Sequence, residues 1–439
     1  MVKILSVGLL AALIGFAAVS DWQSLLGVSL AGFWALVAGV LLYRREKQKV
    51  DGRWWSRVLV AGLLVRLFAA FLHLAVGLWF YRGESDFFEY HRSGVDQAVR
   101  FLKGELIYIE HSERKSEFRL LEHLYGLTTF LVGPGVVGMV LFSAMLGFIG
   151  CYLFLQAFRV EFSHGKDTRF LALALFFLPS VAFWGSYPGK DTWILFLLGW
   201  LAYSYARLLQ TFRVGYVLAI ALSLSGLILI RWPVGGIAAL AVGVPWLLKA
   251  GRGPAAILRP IGFAVCPFVA AFILSYIGSF IVPRSISLVK DLGLFLDISA
   301  ETAALVHKGY AYGGSARAVE ITDRSLGGLL HYLPQGAFAF LFRPMIFEAH
   351  HALAIAAALE ATLFLGLIVW KWRSLLATMR LAFKRPFVGY CVLTFVGLTV
   401  ILAVESNFGA IVRHRAMVLP FLLIMLAVPS GHRVRGKTS

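Results

Sequence analysis

Between an apolar run that ends near residue 80 and the next that begins near 127, the chain crowds three carboxylates into six positions, in Gly83-Glu84-Ser85-Asp86-Phe87-Phe88-Glu89-Tyr90-His91-Arg92-Ser93-Gly94. If the stretch from Asp86 is helical, Asp86, Glu89 and Tyr90 share a face, because residues three and four apart are neighbours. A carboxylate held at a lipid boundary and partly desolvated can act as a general base towards a hydroxyl, with Asp86 the first candidate and Glu84 and Glu89 its competitors. The same residues also fit a plain interfacial helix capped by Ser85, with Asp86 and Glu89 in its first turn. A second constellation is Pro179-Ser180 to Trp193, a tight turn that sets Lys190 and Asp191 at the start of a helix. Amides and dipole there favour an anion and Lys190 adds a point charge, whereas the structural alternative has Asp191 capping the helix and Lys190 reaching the headgroups.

Arginines supply the remaining polar chemistry. Arg231-Trp232-Pro233 joins two short apolar segments, which sets Arg231 somewhat below the surface, in need of a phosphate or of a carboxylate from another helix. Leu333 to His351 is apolar, aromatic and punctuated by Pro334 and Pro344, and reads as an amphipathic or re-entrant segment carrying Arg343 and Glu348. Glu348-x-His350 is a weak metal signal with no completing ligand pair, so no metal site is assigned. Glu405-Ser406-Asn407 to Arg413-His414-Arg415 brings two arginines around a histidine, an arrangement suited to bidentate recognition of a diphosphate or, alternatively, to headgroups or Glu405 itself. Glu360 falls inside an apolar run, as does Arg66, and the two are possible partners.

The elements that must hold these residues are membrane helices. With 59% hydrophobic and 15% charged residues and a mean hydropathy of +0.80, the chain of 439 residues lies far from soluble composition. That excludes a water-soluble enzyme, a nucleic-acid-binding module and a disordered chain. Twelve apolar runs predict helices at roughly 3–19, 25–43, 58–80, 127–158, 170–186, 191–209, 215–230, 234–249, 261–282, 350–370, 387–404 and 416–430, the fourth broken near Gly133-Pro134-Gly135. The expected fold is therefore all-α and polytopic, a single transmembrane domain over 1–439 with both termini cytoplasmic. Segments 1–57 form two additional helices and a basic inner loop, and 81–126 and 283–349 are two long outer loops with interfacial or re-entrant helices.

The net charge of +18 fits this orientation. Inner segments hold 23 of the 41 Lys and Arg but only four acids, Glu46, Asp51, Glu161 and Asp167. This is a positive-inside bias and gives no reason to invoke a nucleic-acid partner. Met1-Val2-Lys3 and the apolar run to Val19 read as a retained first span, since Ala18-Val19-Ser20 is a poor cleavage site. Cys151, Cys266 and Cys391 each sit inside an apolar run without C-x-x-C spacing and read as small core residues. No internal repeat is evident, which counts against an inverted-repeat transporter.

Taken together, the acidic motif, the Pro-Ser…Phe-Trp…Lys-Asp turn, Arg-x-Pro, Leu-Phe-Arg-Pro…Phe-Glu-Ala and Asn-x-Gly…Arg-x-Arg resemble those of bacterial polysaccharide-biosynthesis membrane proteins. These are polytopic glycosyltransferases and O-antigen-polymerase-like proteins related to the GT-C class, and the resemblance runs from about residue 58 onward. It implies transfer or polymerisation of sugars at the outer face of the inner membrane from a polyprenyl-phosphate or diphosphate donor to a glycan acceptor, alongside membrane lipid and export or assembly proteins. Asp86 would be the base; Lys190, Arg231, Arg343, Arg413 and Arg415 would stabilise the leaving phosphate without a required cofactor. Tyr90, His91 and His414 would orient oxygens, and Asp191, Glu348, Glu405 and Asn407 complete the substrate-binding set. The acidic motif follows the third helix here, where the GT-C acid usually follows the first, so two helices would be additions. A transporter or flippase of lipid-linked oligosaccharide is the rival expectation.

Overall fold

The computed structural model of the chain describes residues 22–47, 51–80, 82–105, 116–162, 166–248, 326–349, 352–403, 405 and 408–430. The expected spans at 3–19 and 261–282, most of the second outer segment, His350 and Asn407 lie outside the described residues. Among those described there are fourteen α-helices and no strand. They are α1 (Trp22–Lys47), α2 (Gly52–Ala75), α3 (Asp86–Leu102), α4 (Ser116–Val132), α5 (Val136–Phe162), α6 (Lys166–Phe177) and α7 (Pro179–Trp184). Beyond these come α8 (Lys190–Gln210), α9 (Val214–Leu248), α10 (Leu326–Phe342), α11 (Ala352–Trp370), α12 (Trp372–Ala382), α13 (Pro386–Leu402) and α14 (Phe408–Ala427).

Among the described residues six helices are long and apolar enough to cross a membrane, within α1, α2, α5, α8, α9 and α14, and a seventh span arises if the bent pair α11–α12 is one. The described residues are thus those of an all-helical membrane protein. The differences from twelve spans have local causes. Gly133, in the left-handed region at φ +77°, closes α4, and α5 starts three residues later, so the long fourth run is two helices. The run expected at 170–186 is divided because Leu178 is extended before Pro179, which opens α7. The two short helices expected at 215–230 and 234–249 are present as the two arms of α9, which meet at a kink at Arg231, where the backbone is extended.

The described chain falls into two compact units, one holding α1 to α5, α6 from Thr168, α7, α8 and α9 as far as Gly235, the other Lys166 and Asp167, the rest of α9 and α10 to α14. In the first unit α5 and α8 form the central pair. Their backbones meet at Gly150 and Gly199, where a Cβ on Gly199 would lie 2.3 Å from the Gly150 carbonyl oxygen. Small residues at such crossings let apolar helices gain dispersion contact that lipid alone cannot supply. Around this pair pack α2 and α1, the latter turning Phe33, Leu36 and Leu41 outward as an apolar face. In the second unit α13 and α14 pair, joined by α10 and α12.

α1 is tied into its unit by charge. Glu46, fully buried, accepts two hydrogen bonds from Arg159 Nη1 at 2.9 and 3.0 Å and one from the Tyr152 hydroxyl at 3.0 Å. The Arg159 guanidinium also lies 4.0 Å from the centre of the Trp55 ring, so α1, α2 and α5 meet on one ion pair. Removing one partner of such a pair strands the other charge at a cost of about 3–5 kcal/mol. Glu46→Ala is therefore expected to lower the thermal midpoint of the detergent-solubilised protein sharply, and Glu46→Ala with Arg159→Met to recover part of the loss; a midpoint unchanged by the single substitution would refute the pair as a structural tie.

Candidate functional site

The acidic motif folds as α3, and its exposure pattern separates two faces. Glu84, Asp86 and Glu89 are exposed, whereas Phe87, Tyr90, Gly94, Gln97 and Ala98 are buried. The chain reaches this helix through a π-helical turn, Val76–Phe80, that continues α2. Phe87 seats its ring on Gly77, and the Gly83 amide donates to the Gly77 carbonyl at 3.0 Å, fixing where α3 begins. Ser85 occupies the N-cap position but its hydroxyl makes no cap hydrogen bond and is buried without a partner among the described residues. The plain capping reading is therefore correct in position and not in bonding.

An open groove of about 510 Å³ runs along the exposed face, lined by Glu84, Ser85, Asp86, Phe88, Glu89, Arg92, Ser93 and Asp96. It carries four carboxylates and one guanidinium, a field that favours hydroxyl or cationic groups over anions. The three carboxylates are solvated, so the desolvated base expected at the lipid boundary is not the state described; occupancy of the groove would be needed to remove that water. Among the described residues no group of three or more His, Cys, Asp and Glu is arranged to hold a metal ion.

Aromatic side chains join α3 to the turn that opens α8. Tyr90 stacks on Tyr125 of α4 at 6.0 Å between ring centres, and the Tyr125 hydroxyl donates to the Gly189 carbonyl at 3.5 Å. Phe87 meets Tyr187 edge-on at 6.1 Å, and Tyr187 meets His73 of α2 at 5.2 Å. Lys190, half-buried, and Asp191, 3% exposed, follow in the first turn of α8. Asp191 is not the cap, which is Gly189. Tyr90 thus positions two elements through its ring, and Tyr125, Tyr187 and His73 are participants that the sequence reading passed over. The signal for Tyr125 was present in the 3.6-residue apolar spacing of Leu120-Leu121-Leu124-Tyr125, which extends a helix into the segment expected as loop 81–126.

His91 points its Nε2 at the Pro134 carbonyl, 2.8 Å away, and so buttresses α3 on the break between α4 and α5 rather than facing the groove. Burial pushes the imidazole pKa below its ordinary value, and the Arg92 charge acts in the same direction while the Pro134 carbonyl opposes both. The folded state therefore binds its proton less readily than the unfolded chain.

In the second unit the expected ligands largely bind one another. Arg343, at the end of α10, donates through Nε and Nη2 to the Glu348 carboxylate, with an Nε to Oε2 distance of 3.0 Å, and the Met345 amide donates to the same carboxylate at 2.8 Å. Arg415, fully buried in α14, donates from Nε to the Phe340 carbonyl at 3.0 Å and from Nη2 to the Arg343 carbonyl. These are carbonyls at the C-terminal end of α10, so Arg415 caps that helix from outside it. His414 Nδ1 lies 3.6 Å from Glu405, and Arg413 is half-buried beside them. Glu360, offered by sequence to Arg66, has Arg415 as an electrostatic neighbour in its own unit. The structure thus collects Glu84, Asp86, Glu89, Tyr90, His91, Lys190 and Asp191 in one unit and Arg343, Glu348, Glu405, Arg413, His414 and Arg415 in the other; Arg231 marks the break in α9.

Two outcomes follow. Because neutral His91 stabilises the fold above the unfolded-state pKa of about 6.5, stability is expected to fall as pH drops through that value towards the depressed folded one. Midpoints measured from pH 8 to 5 should decline less in His91→Gln than in the wild type, and an equal slope would assign the proton elsewhere. Arg415→Met strips charge-assisted bonds from two carbonyls, worth about 1.5–3 kcal/mol each, and is expected to destabilise the protein even where lipid binding is intact. A variant of normal stability that had lost only lipid binding would return Arg415 to the role of phosphate ligand.

No family model, curated protein or solved structure matches this chain, so its residues and their geometry carry the functional reading.

Proposed function

We propose that the protein is a membrane glycosyltransferase that works at the outer face of the bacterial cytoplasmic membrane on a polyprenyl-phosphate or diphosphate-linked sugar. The observation that carries the reading is the seating of α3, with its acid-lined groove, against the turn that opens α8 with Lys190. A groove of this charge accommodates a hydroxylated acceptor, and the amides and lysine at the start of α8 suit a phosphate leaving group, with buried Asp191 setting its limit. The orientation rests on the positive-inside bias, which with the expected first span, α1 and α2 preceding it sets the N-terminus inside and α3 outside.

In this reading Asp86 takes the proton of an acceptor hydroxyl while that oxygen attacks the anomeric carbon. The bond from the anomeric carbon to the lipid phosphate oxygen breaks, and the electron pair leaves with the phosphate. The developing charge is met by Lys190, with Arg231 the further cation of the same unit, a form of electrostatic stabilisation that requires no covalent intermediate and inverts the anomeric centre. Glu84 and Glu89 are the alternative bases. Arg413 is retained as a lipid-phosphate ligand of the second unit, and Arg343 and Arg415 contribute by holding the end of α10 in place.

The second reading is a transporter of the same lipid-linked glycan, and the interruption of α9 at Arg231 favours it, since transporters bind substrate where spanning helices are broken. One experiment separates the two. Purified protein is reconstituted with lipid-linked glycan from its host, and glycan length and transbilayer movement are both followed. The expected result is lengthening by the wild type, reduced by a factor of about 10²–10⁴ in Asp86→Asn, with lipid binding retained. Movement of the lipid across the bilayer with an unaltered glycan would replace the enzyme by the transporter.

A further inference from the structure

Helix α12 departs from α11 at 69° after the single residue Lys371, too sharply for the two to run on as one straight span. One face of α12 is seated in its own unit. Ser374 and Thr378 are 4% and 0% exposed, and the Thr378 hydroxyl donates to the Met425 carbonyl of α14 at 2.8 Å. The opposite face is apolar along one edge, with Trp372, Leu376, Met379 and, just past the helix end, Phe383 all exposed at spacings of four, three and four. That spacing keeps them on one stripe. Beside it runs a second exposed row, Arg373, Arg380 and Lys384, one residue further on in each turn it occupies.

An apolar row next to a cationic row, on a helix turned away from its spanning neighbour, is the arrangement of a helix lying in the plane of a bilayer surface. The charge is one-signed: from Ala361 to Val404 the sequence contains no Asp or Glu. Met425 lies ten residues beyond Arg415 in α14, so at about 1.5 Å per residue α12 sits some 15 Å along that helix from the guanidinium capping α10. The two basic regions of the second unit are therefore at different depths. A nucleic acid would use the cations and leave the apolar stripe in water, and a neutral lipid surface would use the stripe and leave the cations without counterions.

We propose that α12 is an anionic-phospholipid binding surface, with Trp372, Leu376, Met379 and Phe383 entering the acyl boundary and Arg373, Arg380 and Lys384 engaging headgroup phosphates. The site anchors the bend between α11 and α12 and is independent of whether the chain is a transferase or a transporter. Its occupant is a lipid of the surrounding bilayer, distinct from any lipid-linked substrate.

The test compares the thermal midpoint of the purified full-length protein in detergent with added phosphatidylglycerol or with phosphatidylcholine of the same acyl chains. For the wild type, phosphatidylglycerol is expected to raise the midpoint more. The triple variant R373Q/R380Q/K384Q should match the wild type in phosphatidylcholine and lose the extra increment, its preference for the anionic lipid falling on the order of a hundredfold. A check that needs no variant is salt: about 0.5 M sodium chloride should erase most of the wild-type preference, because exposed charges are screened over a few ångströms at that strength. Equal increments from the two lipids, an increment retained by the triple variant, or a preference insensitive to salt would each overturn the assignment.

Discussion

A hydrocarbon surround offers no partner to a polar group, so every charge carried inside the helical body must be answered from within it. That constraint organises both units. Glu46 has no exposure and no solvent to turn to, and it takes three hydrogen bonds from Arg159 and Tyr152. Arg415, with Glu360 as its charged neighbour, takes the carbonyls that the end of α10 leaves open. Arg66 is the exception. Fully buried, it donates Nη2 to the Cys151 sulfur at 2.9 Å, while Nε and Nη1 have no hydrogen-bond partner among the described residues. The helices could not be shifted past one another without uncovering one of these groups, which makes the buried polar contacts the registry of an otherwise uniform apolar assembly.

The same constraint explains why the acidic groove is on α3. A helix with buried Phe87, Tyr90 and Gln97 on one side and exposed Glu84, Asp86, Glu89 and Asp96 on or just before the other cannot cross a bilayer, yet it has enough apolar surface to be held firmly against the ends of helices that do. Its position is then fixed by shape, through Phe87 on Gly77, Tyr90 on Tyr125 and His91 on the Pro134 carbonyl. The aromatic contacts thus carry the cost of ordering the helix that presents the carboxylates.

Composition and apolar run length made the all-helical membrane character legible in the sequence, because both are properties of single segments. The break at Gly133-Pro134-Gly135 and the irregularity at Arg231-Trp232-Pro233 were legible for the same reason, since proline and glycine act locally. The division at Pro179 was equally local, yet the apolar run on either side concealed it. Pairings were not legible. Nothing in Leu-Phe-Arg-Pro-Met-Ile-Phe-Glu states that Arg343 will close on Glu348, and nothing in Arg-His-Arg states that Arg415 will reach 75 residues back to the Phe340 carbonyl. An arginine-rich segment looks the same in sequence whether its guanidinium groups meet an external phosphate or orphan carbonyls of the same chain.

That ambiguity has a physical resolution here, and it redistributes the roles. A buried guanidinium held by two carbonyls would have to give up those bonds, worth about 1.5–3 kcal/mol each, to bind a phosphate. Arg415 is therefore better suited to fixing the α10 end than to ligand exchange, and Arg343, committed to Glu348, is in a similar position. Lys190 differs in kind. It stands half-buried at the start of a 21-residue helix, on a flexible stem, next to amides whose dipole already favours negative charge. It thus presents its charge where the helix already favours an anion, whereas Arg415 presents its charge to the carbonyls at the end of α10.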